Sequence, residues 1–213
     1  MEISILLILI AYLIGSVPTS VWVGRLFYGI DVREHGSGNA GATNTIRVLG
    51  YKAGIPVMLF DVFKGWLAVQ LATWIAIPDT GDEGITYLKI ACAIAAVLGH
   101  IFPVYVGFRG GKGVGTLAGV GIALYPLALL IVLAIFILTL ALTRYVSLSS
   151  ILAAVSFPFI VYFITGERHL ALLILAILVA IFIPMTHRKN IARLLKGEEN
   201  RFQFHRKKVD KGS

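Results

Sequence analysis

Apolar residues gather in long runs near positions 3–27, 54–77, 86–106, 114–143, 148–165 and 169–186, separated by polar segments rich in turn-forming residues. A bilayer hydrocarbon core of roughly 30 Å takes about 20 apolar residues of helix per crossing. At least five of the runs meet or approach that length, which predicts a single all-α, polytopic membrane domain. The run 114–143 is the ambiguous one. Continuous, it would reach about 45 Å, longer than one crossing and shorter than two.

Charge between the runs decides the topology. Segment 78–84 is acidic, whereas 31–52 carries Arg33, Arg47 and Lys52, 107–113 carries Arg109 and Lys112, and the C-terminal segment is strongly basic. Basic loops stay on the cytoplasmic side. One continuous span at 114–143 would leave the basic tail outside with Met1. A short helix containing Gly115, Gly119 and Gly121, a turn at Tyr125-Pro126 and a second helix bring every basic segment inside. Seven crossings are therefore expected, one of them short and Gly-rich, with the N-terminus outside, the C-terminus cytoplasmic and Gly-rich loops facing inward. Met1-Glu2-Ile3-Ser4 has no basic n-region, so the first run is expected to stay as a helix and not to be a removed signal peptide.

Composition agrees: 58% of the 213 residues are hydrophobic and 14% charged, and the mean hydropathy is +0.87. The net charge of +8 does not argue for nucleic acid, because nine of the nineteen Lys and Arg residues lie between Arg188 and Lys211, beside the last apolar run. The single Cys92 excludes an intrachain disulfide and a multi-cysteine metal site.

Three inward segments carry candidate chemistry. His35-Gly-Ser-Gly-Asn-Ala-Gly-Ala-Thr-Asn-Thr-Ile-Arg47 concentrates glycines, amides, hydroxyls and an arginine. Glycine lets backbone N–H groups turn toward an anion, and an arginine clamps two phosphate oxygens. The plain alternative is a flexible connector. Gly99 to Thr116 is again glycine-rich and basic, but it is not a Walker loop: Val106 stands where the first glycine belongs and Gly113 follows Lys112. Lysine and glycine amides at a helix N-terminus still make an anion site; helix-packing glycines with topogenic charge are the alternative. In Met185 to Glu199, His187, Asn190 and Arg193 recur every third residue and would share a face of a continuing helix; a basic patch on anionic lipid is the alternative. Physics alone leaves Asp61 with Lys64, and Arg144 with Ser147 and Ser150, unassigned. His100 and Pro103 read as structural. His35, His100 and His187 are followed five residues later by Ala40, Tyr105 and Ala192, so none of them opens a His-x-x-x-x-Asp pair, and a Gly-x-Ser-x-Gly elbow and a His-Glu-x-x-His site are missing.

Gly-Ser-Gly-Asn-Ala-Gly-Ala-Thr-Asn at 36–44, Asp-Val-Phe-Lys-Gly at 61–65, Gly-His-Ile-Phe-Pro at 99–103, Gly-Gly-Lys-Gly-Val at 110–114 and His-Arg-Lys-Asn-Ile-Ala-Arg at 187–193 together resemble the bacterial acyl-phosphate:glycerol-3-phosphate acyltransferase family. The likeness runs to about Phe202, which implies one membrane-embedded acyltransferase domain over 1–202 and a basic cytoplasmic tail at 203–213. It implies transfer of an acyl group from acyl phosphate to glycerol 3-phosphate, giving 1-acylglycerol 3-phosphate at the bacterial cytoplasmic (inner) membrane, the first step of phospholipid synthesis.

On this reading His187, Lys112 and Arg47 are the catalytic candidates, with His187 or the substrate's own phosphate as proton acceptor. Asn190 and Arg193 join them in holding glycerol 3-phosphate. Ser37, Gly38, Asn39, Gly41, Thr43 and Asn44, with Gly110, Gly111 and Gly113, cradle the acyl phosphate; Ser150 is a further binding candidate and Glu198 orients a cation. No metal or cofactor is called for. Expected partners are the two substrates, membrane lipid and a soluble acyl-phosphate synthase docking at the inner face. The competing reading is an organic-phosphate transporter, since glycine-rich breaks and intramembrane charges also mark transport pathways, although the motifs show no internal repeat.

Overall fold

The computed structural model describes residues 2–75 and 81–203, so the tail beyond Gln203 and positions 78–80 of the acidic segment lie outside the described residues. Among the described residues the structure is helical, without strands. Ten helices follow in order: Glu2–Ser16 (α1), Thr19–Tyr28 (α2), Ala42–Leu49 (α3), Tyr51–Trp74 (α4), Gly81–Ile101 (α5), Val114–Leu124 (α6), Pro126–Thr143 (α7), Val146–Phe159 (α8), Leu170–Thr186 (α9) and Arg188–Leu195 (α10).

Among the described residues four helical stretches are long and apolar enough to cross a bilayer: α4, α5 with the residues to Val106, α7, and α8 with its π-helical continuation Ile160–Ile164. Two bent pairs bring the number to six, and α6 adds an apolar helix of 11 residues. The break expected at Tyr125-Pro126 is present, with Pro126 at the first position of α7, where its missing N–H costs nothing. Two other expectations need correction. The run 3–27 is not one helix: Pro18 removes a backbone donor and α2 departs from α1 by 40°. Nor does the last apolar helix continue through the third motif, because α9 and α10 meet at His187 at 60°.

Glycines set the closest helix contacts. A Cβ on Gly15 of α1 would stand 2.1 Å from the Ala96 carbonyl oxygen of α5, and one on Gly99 of α5 would stand 2.3 Å from that of Tyr12. In the same way Gly65 of α4 and Gly119 of α6 meet the carbonyls of Thr116 and Val62 at 2.0 and 1.9 Å. Small residues are how membrane helices bring their backbones together. On the periphery, only 11% of α7 is buried, and its mean hydropathy of 2.8 suits lipid contact.

Two tyrosines record the relative heights of the helix ends. Tyr12 Oη donates to the Phe102 carbonyl at 2.7 Å, so α1 and α5 finish at the same side of the bundle. Tyr125 Oη donates to the Leu172 carbonyl at 2.8 Å, which sets the α6–α7 turn beside the beginning of α9, away from His187 at its other end.

Candidate active site

The first glycine loop is held from beneath by one side chain. Asn44, buried in α3, donates through Nδ2 to the carbonyls of Val32 and His35 at 2.8 and 3.1 Å, while its Oδ1 accepts from the Ser37 amide at 2.8 Å. A Cβ on Gly36 would approach that Oδ1 to 2.5 Å, and the backbone there is left-handed, with φ +62°. Asn44 therefore shapes the loop instead of facing solvent. Ser37 and Gly38 are exposed, Asn39 and Thr43 half-buried, and Gly41 precedes α3 as its N-cap. The amides of Ala42 and Thr43 open α3, where a helix leaves its first N–H groups without intrahelical acceptors.

The second loop is clipped to the first by Arg33. Its guanidinium pairs with Asp31 at 2.7 Å and donates through Nη1 to the carbonyls of Val106 and Arg109 at 3.0 and 3.1 Å. Arg33's hydrogen bonds outweigh burial and hold the Asp31 carboxyl well below the usual carboxylate range. Gly110 and Gly111 donate their amides to the carbonyls of Ile101 and His100 at 3.0 and 3.1 Å. These two amides cap the end of α5, where backbone carbonyls satisfy them. Gly113, with φ +82°, caps α6. Between them Lys112 turns toward the third motif.

There the side chains converge. Lys112 Nζ donates to Asn190 Oδ1. Asn190 Nδ2 donates to Glu199 Oε1 at 2.6 Å, Ser147 Oγ donates to the same oxygen at 2.8 Å, and Arg193 Nε reaches Oε2 at 2.7 Å. Arg47, on α3, feels the charges of both Glu199 and Arg193. Three cations thus surround one carboxylate, a surplus of positive charge suited to a phosphate. Burial opposes charge on Lys112 and, with Arg193 and Arg47 nearby, brings its ammonium down to about 8 despite Glu199. Burial also pushes Glu199 up, but hydrogen bonds from Arg193, Asn190 and Ser147 more than offset it and hold the carboxyl below its ordinary value. His187 sits at the α9–α10 bend, 4% exposed. Its Nδ1 lies 2.8 Å from the Ile183 carbonyl oxygen, which only accepts, so Nδ1 carries the hydrogen and Nε2 is the ring's acceptor.

The family model for glycerol-3-phosphate acyltransferase matches residues 5–197. The chain belongs to the glycerol-3-phosphate acyltransferase family. It is 43% identical to the glycerol-3-phosphate acyltransferase of Chlorobaculum tepidum over 94% of this chain and 97% of that one, and 42% identical to that of Chlorobium phaeobacteroides over 95% and 97%. The crystal structure of PlsY, an integral membrane glycerol 3-phosphate acyltransferase, in its glycerol 3-phosphate form superposes with a TM-score of 0.83 at 37% identity, covering 94% of this chain and 96% of that one. Its lysophosphatidic acid form gives 0.81, covering 94% and 95%.

Within this acyltransferase, two acceptor and donor assignments differ from sequence expectation. Glu198 is exposed, and it is Glu199 that collects Asn190, Arg193 and Ser147. The reason is Gly197: with φ +72° it reverses the chain after α10, bonding the Glu198 amide to the Arg193 carbonyl at 2.8 Å and returning the next residue over the helix. Ser150 lies one turn further along α8 than Ser147 and donates to its own helix, at the Val146 carbonyl 2.9 Å away. Arg33's pairing with Asp31 two residues away was open to sequence reading, but its clip onto the second loop was not, since Val106 and Arg109 offer only backbone carbonyls more than seventy residues away.

Proposed function

We propose that the chain transfers the acyl group of an acyl phosphate to glycerol 3-phosphate on the cytoplasmic side of the bacterial inner membrane, crossing the bilayer seven times with its N-terminus outside. The observation that carries this reading is the convergence of Arg47, Lys112 and Arg193 on Glu199 beside Asn190 and His187, at the ends of apolar helices.

Arg47, Lys112 and Arg193 hold the phosphate of glycerol 3-phosphate, each charge-assisted hydrogen bond contributing about 1.5–3 kcal/mol. Asn190 and Glu199 keep two of these cations in place. Ser37, Asn39, Thr43 and the opening amides of α3 receive the acyl phosphate. The glycerol hydroxyl attacks the acyl carbonyl, the new ester C–O bond forms, and the bond from the acyl carbon to the phosphate oxygen breaks, its electron pair leaving with inorganic phosphate. The hydroxyl proton passes to His187 Nε2, whose ring is oriented by Ile183. A mixed anhydride needs little further activation, so holding the two reactants together supplies much of the rate.

The test is direct. Purified protein in detergent, given glycerol 3-phosphate and a long-chain acyl phosphate without CoA or nucleotide, should release lysophosphatidate and phosphate in equal amounts. Activity with acyl-CoA alone would replace the donor, and transport of an organic phosphate by reconstituted vesicles in place of acylation would replace the function. His187→Ala should lower kcat with KM for glycerol 3-phosphate little changed; a loss confined to KM would remove His187 as the base and leave the proton to the substrate phosphate.

A further inference from the structure

Three ionisable side chains lie together inside the bundle, apart from the substrate cluster. Lys64 Nζ is 2.7 Å from Asp61 Oδ1, one turn away on α4, and His100 Nδ1 in the last turn of α5 is 3.6 Å from the same oxygen, beyond hydrogen-bond reach. Asp61, Lys64 and His100 are 4, 1 and 7% exposed. Ionisable groups among membrane helices are costly and survive where they do something.

What they touch indicates the task. Lys64 donates to the Val17 carbonyl at 3.0 Å, at the break between α1 and α2. The His100 carbonyl accepts the Gly111 amide, and His100 Nε2 stands 2.2 Å from where a Cβ on Gly111 would be. Asp61 Cβ is 3.1 Å from the corresponding point on Gly115, in the first turn of α6. The trio is wedged against both flanks of Lys112. A cavity of about 10 Å³ remains between Thr19, Ala40, Asp61, Lys64, His100 and Gly111, room for a single water. Both Thr19 Oγ1 and His100 Nδ1 are buried without a hydrogen-bond partner.

We propose that Asp61, Lys64 and His100 are positioning residues for acyl transfer: they lock the loop at Gly110–Gly111 onto α4 and α5 so that Lys112, the next residue, is presented to Asn190 and the substrate phosphate. The inference rests on Lys112 being a phosphate ligand. A salt bridge that only stabilised the bundle would not need to abut this loop.

The test compares His100→Ala, His100→Gln and the double variant Asp61→Asn/Lys64→Met, which removes both charges together and leaves neither unpaired. Kinetics are normalised to the folded fraction measured by thermal unfolding in detergent. His100→Ala and the double variant should lose roughly 10²-fold in kcat/KM for glycerol 3-phosphate, the cost of a misplaced group. His100→Gln, able to set an amide near the Nε2 position, should recover most of it. In a Lys112→Ala background, His100→Ala should cost little more, because two residues acting through one contact are not additive. Full additivity, or wild-type kcat/KM per folded molecule with only the thermal midpoint lowered, would overturn the proposal. If Lys112→Ala itself left the KM for glycerol 3-phosphate unchanged, the phosphate assignment would fall and this inference with it.

Discussion

Glu199 accepts from Ser147, Asn190 and Arg193 on its two oxygens, so its removal frees an amide and a cation at once. Losing charge-assisted bonds of about 1.5–3 kcal/mol translates into roughly 10- to 100-fold in kcat/KM for Glu199→Ala. Glu198→Ala should stay near wild type, and steady-state kinetics of the pair separates the two neighbours. Because the Glu199 carboxyl is held below its ordinary value, its ordering of Asn190 and Arg193 is present at neutral pH and lost only as pH falls through that lowered value. Lys112 gives the opposite limb. Its ammonium, at about 8, is charged below that pH and neutral above it, so kcat/KM for glycerol 3-phosphate should decline as pH rises past about 8. A bound phosphate keeps the ammonium charged, so kcat should fall later. Lys112→Arg should abolish the alkaline limb, and a pH profile of both parameters reads this out. The third motif was legible as residue types, since His187, Asn190 and Arg193 all meet the cluster region. The choice between Glu198 and Glu199 was not, because it turns on the left-handed Gly197 and not on charge or spacing.

Helices were legible where an apolar run ended at a residue that stops it. Pro126 divides the 114–143 run because proline starts a helix readily and cannot continue the one before it. Pro18 did the same inside 3–27, but apolar residues on both sides disguised the break, and at His187 the 60° bend lies three residues beyond Pro184, within a segment whose three-residue spacing reads as one helix. The glycines of α6 were read as a packing face, and their depth is now specific. Gly119→Ala would put a methyl 1.9 Å from the Val62 carbonyl oxygen, a backbone atom that moves only with α4. Overpacking of this kind costs about 1–3 kcal/mol or more, so the thermal midpoint in detergent should drop clearly. Gly121→Ala meets only the Leu129 side chain at 3.0 Å, which can turn aside, and should be milder. Equal effects would mean that α4 and α6 are not held as tightly as this contact implies.

At the scale of the molecule, the two ends of the bundle differ in chemistry, and that difference predicts an orientation. Glycine loops, Arg47, Lys112 and Arg193 gather at the end where α5 and α9 finish, while Asp82 and Glu83 stand at the opposite end, in the first turn of α5. Basic loops inside and acidic ones outside predict that Glu83 faces the periplasm and Lys196 the cytoplasm. Native Cys92 is fully buried and should stay silent to an impermeant thiol reagent, so single cysteines can report. Glu83→Cys should label in intact cells, and Lys196→Cys only after permeabilisation. The parity matters as much as the direction. Five helices, α5 to α9, separate the two positions, and an odd number of crossings puts them on opposite sides. A continuous helix over 114–143 would make the number four and place both labels on one side. The reversed pattern would keep the count and invert the protein, putting the cations proposed to hold phosphate on the side away from cytoplasmic substrates.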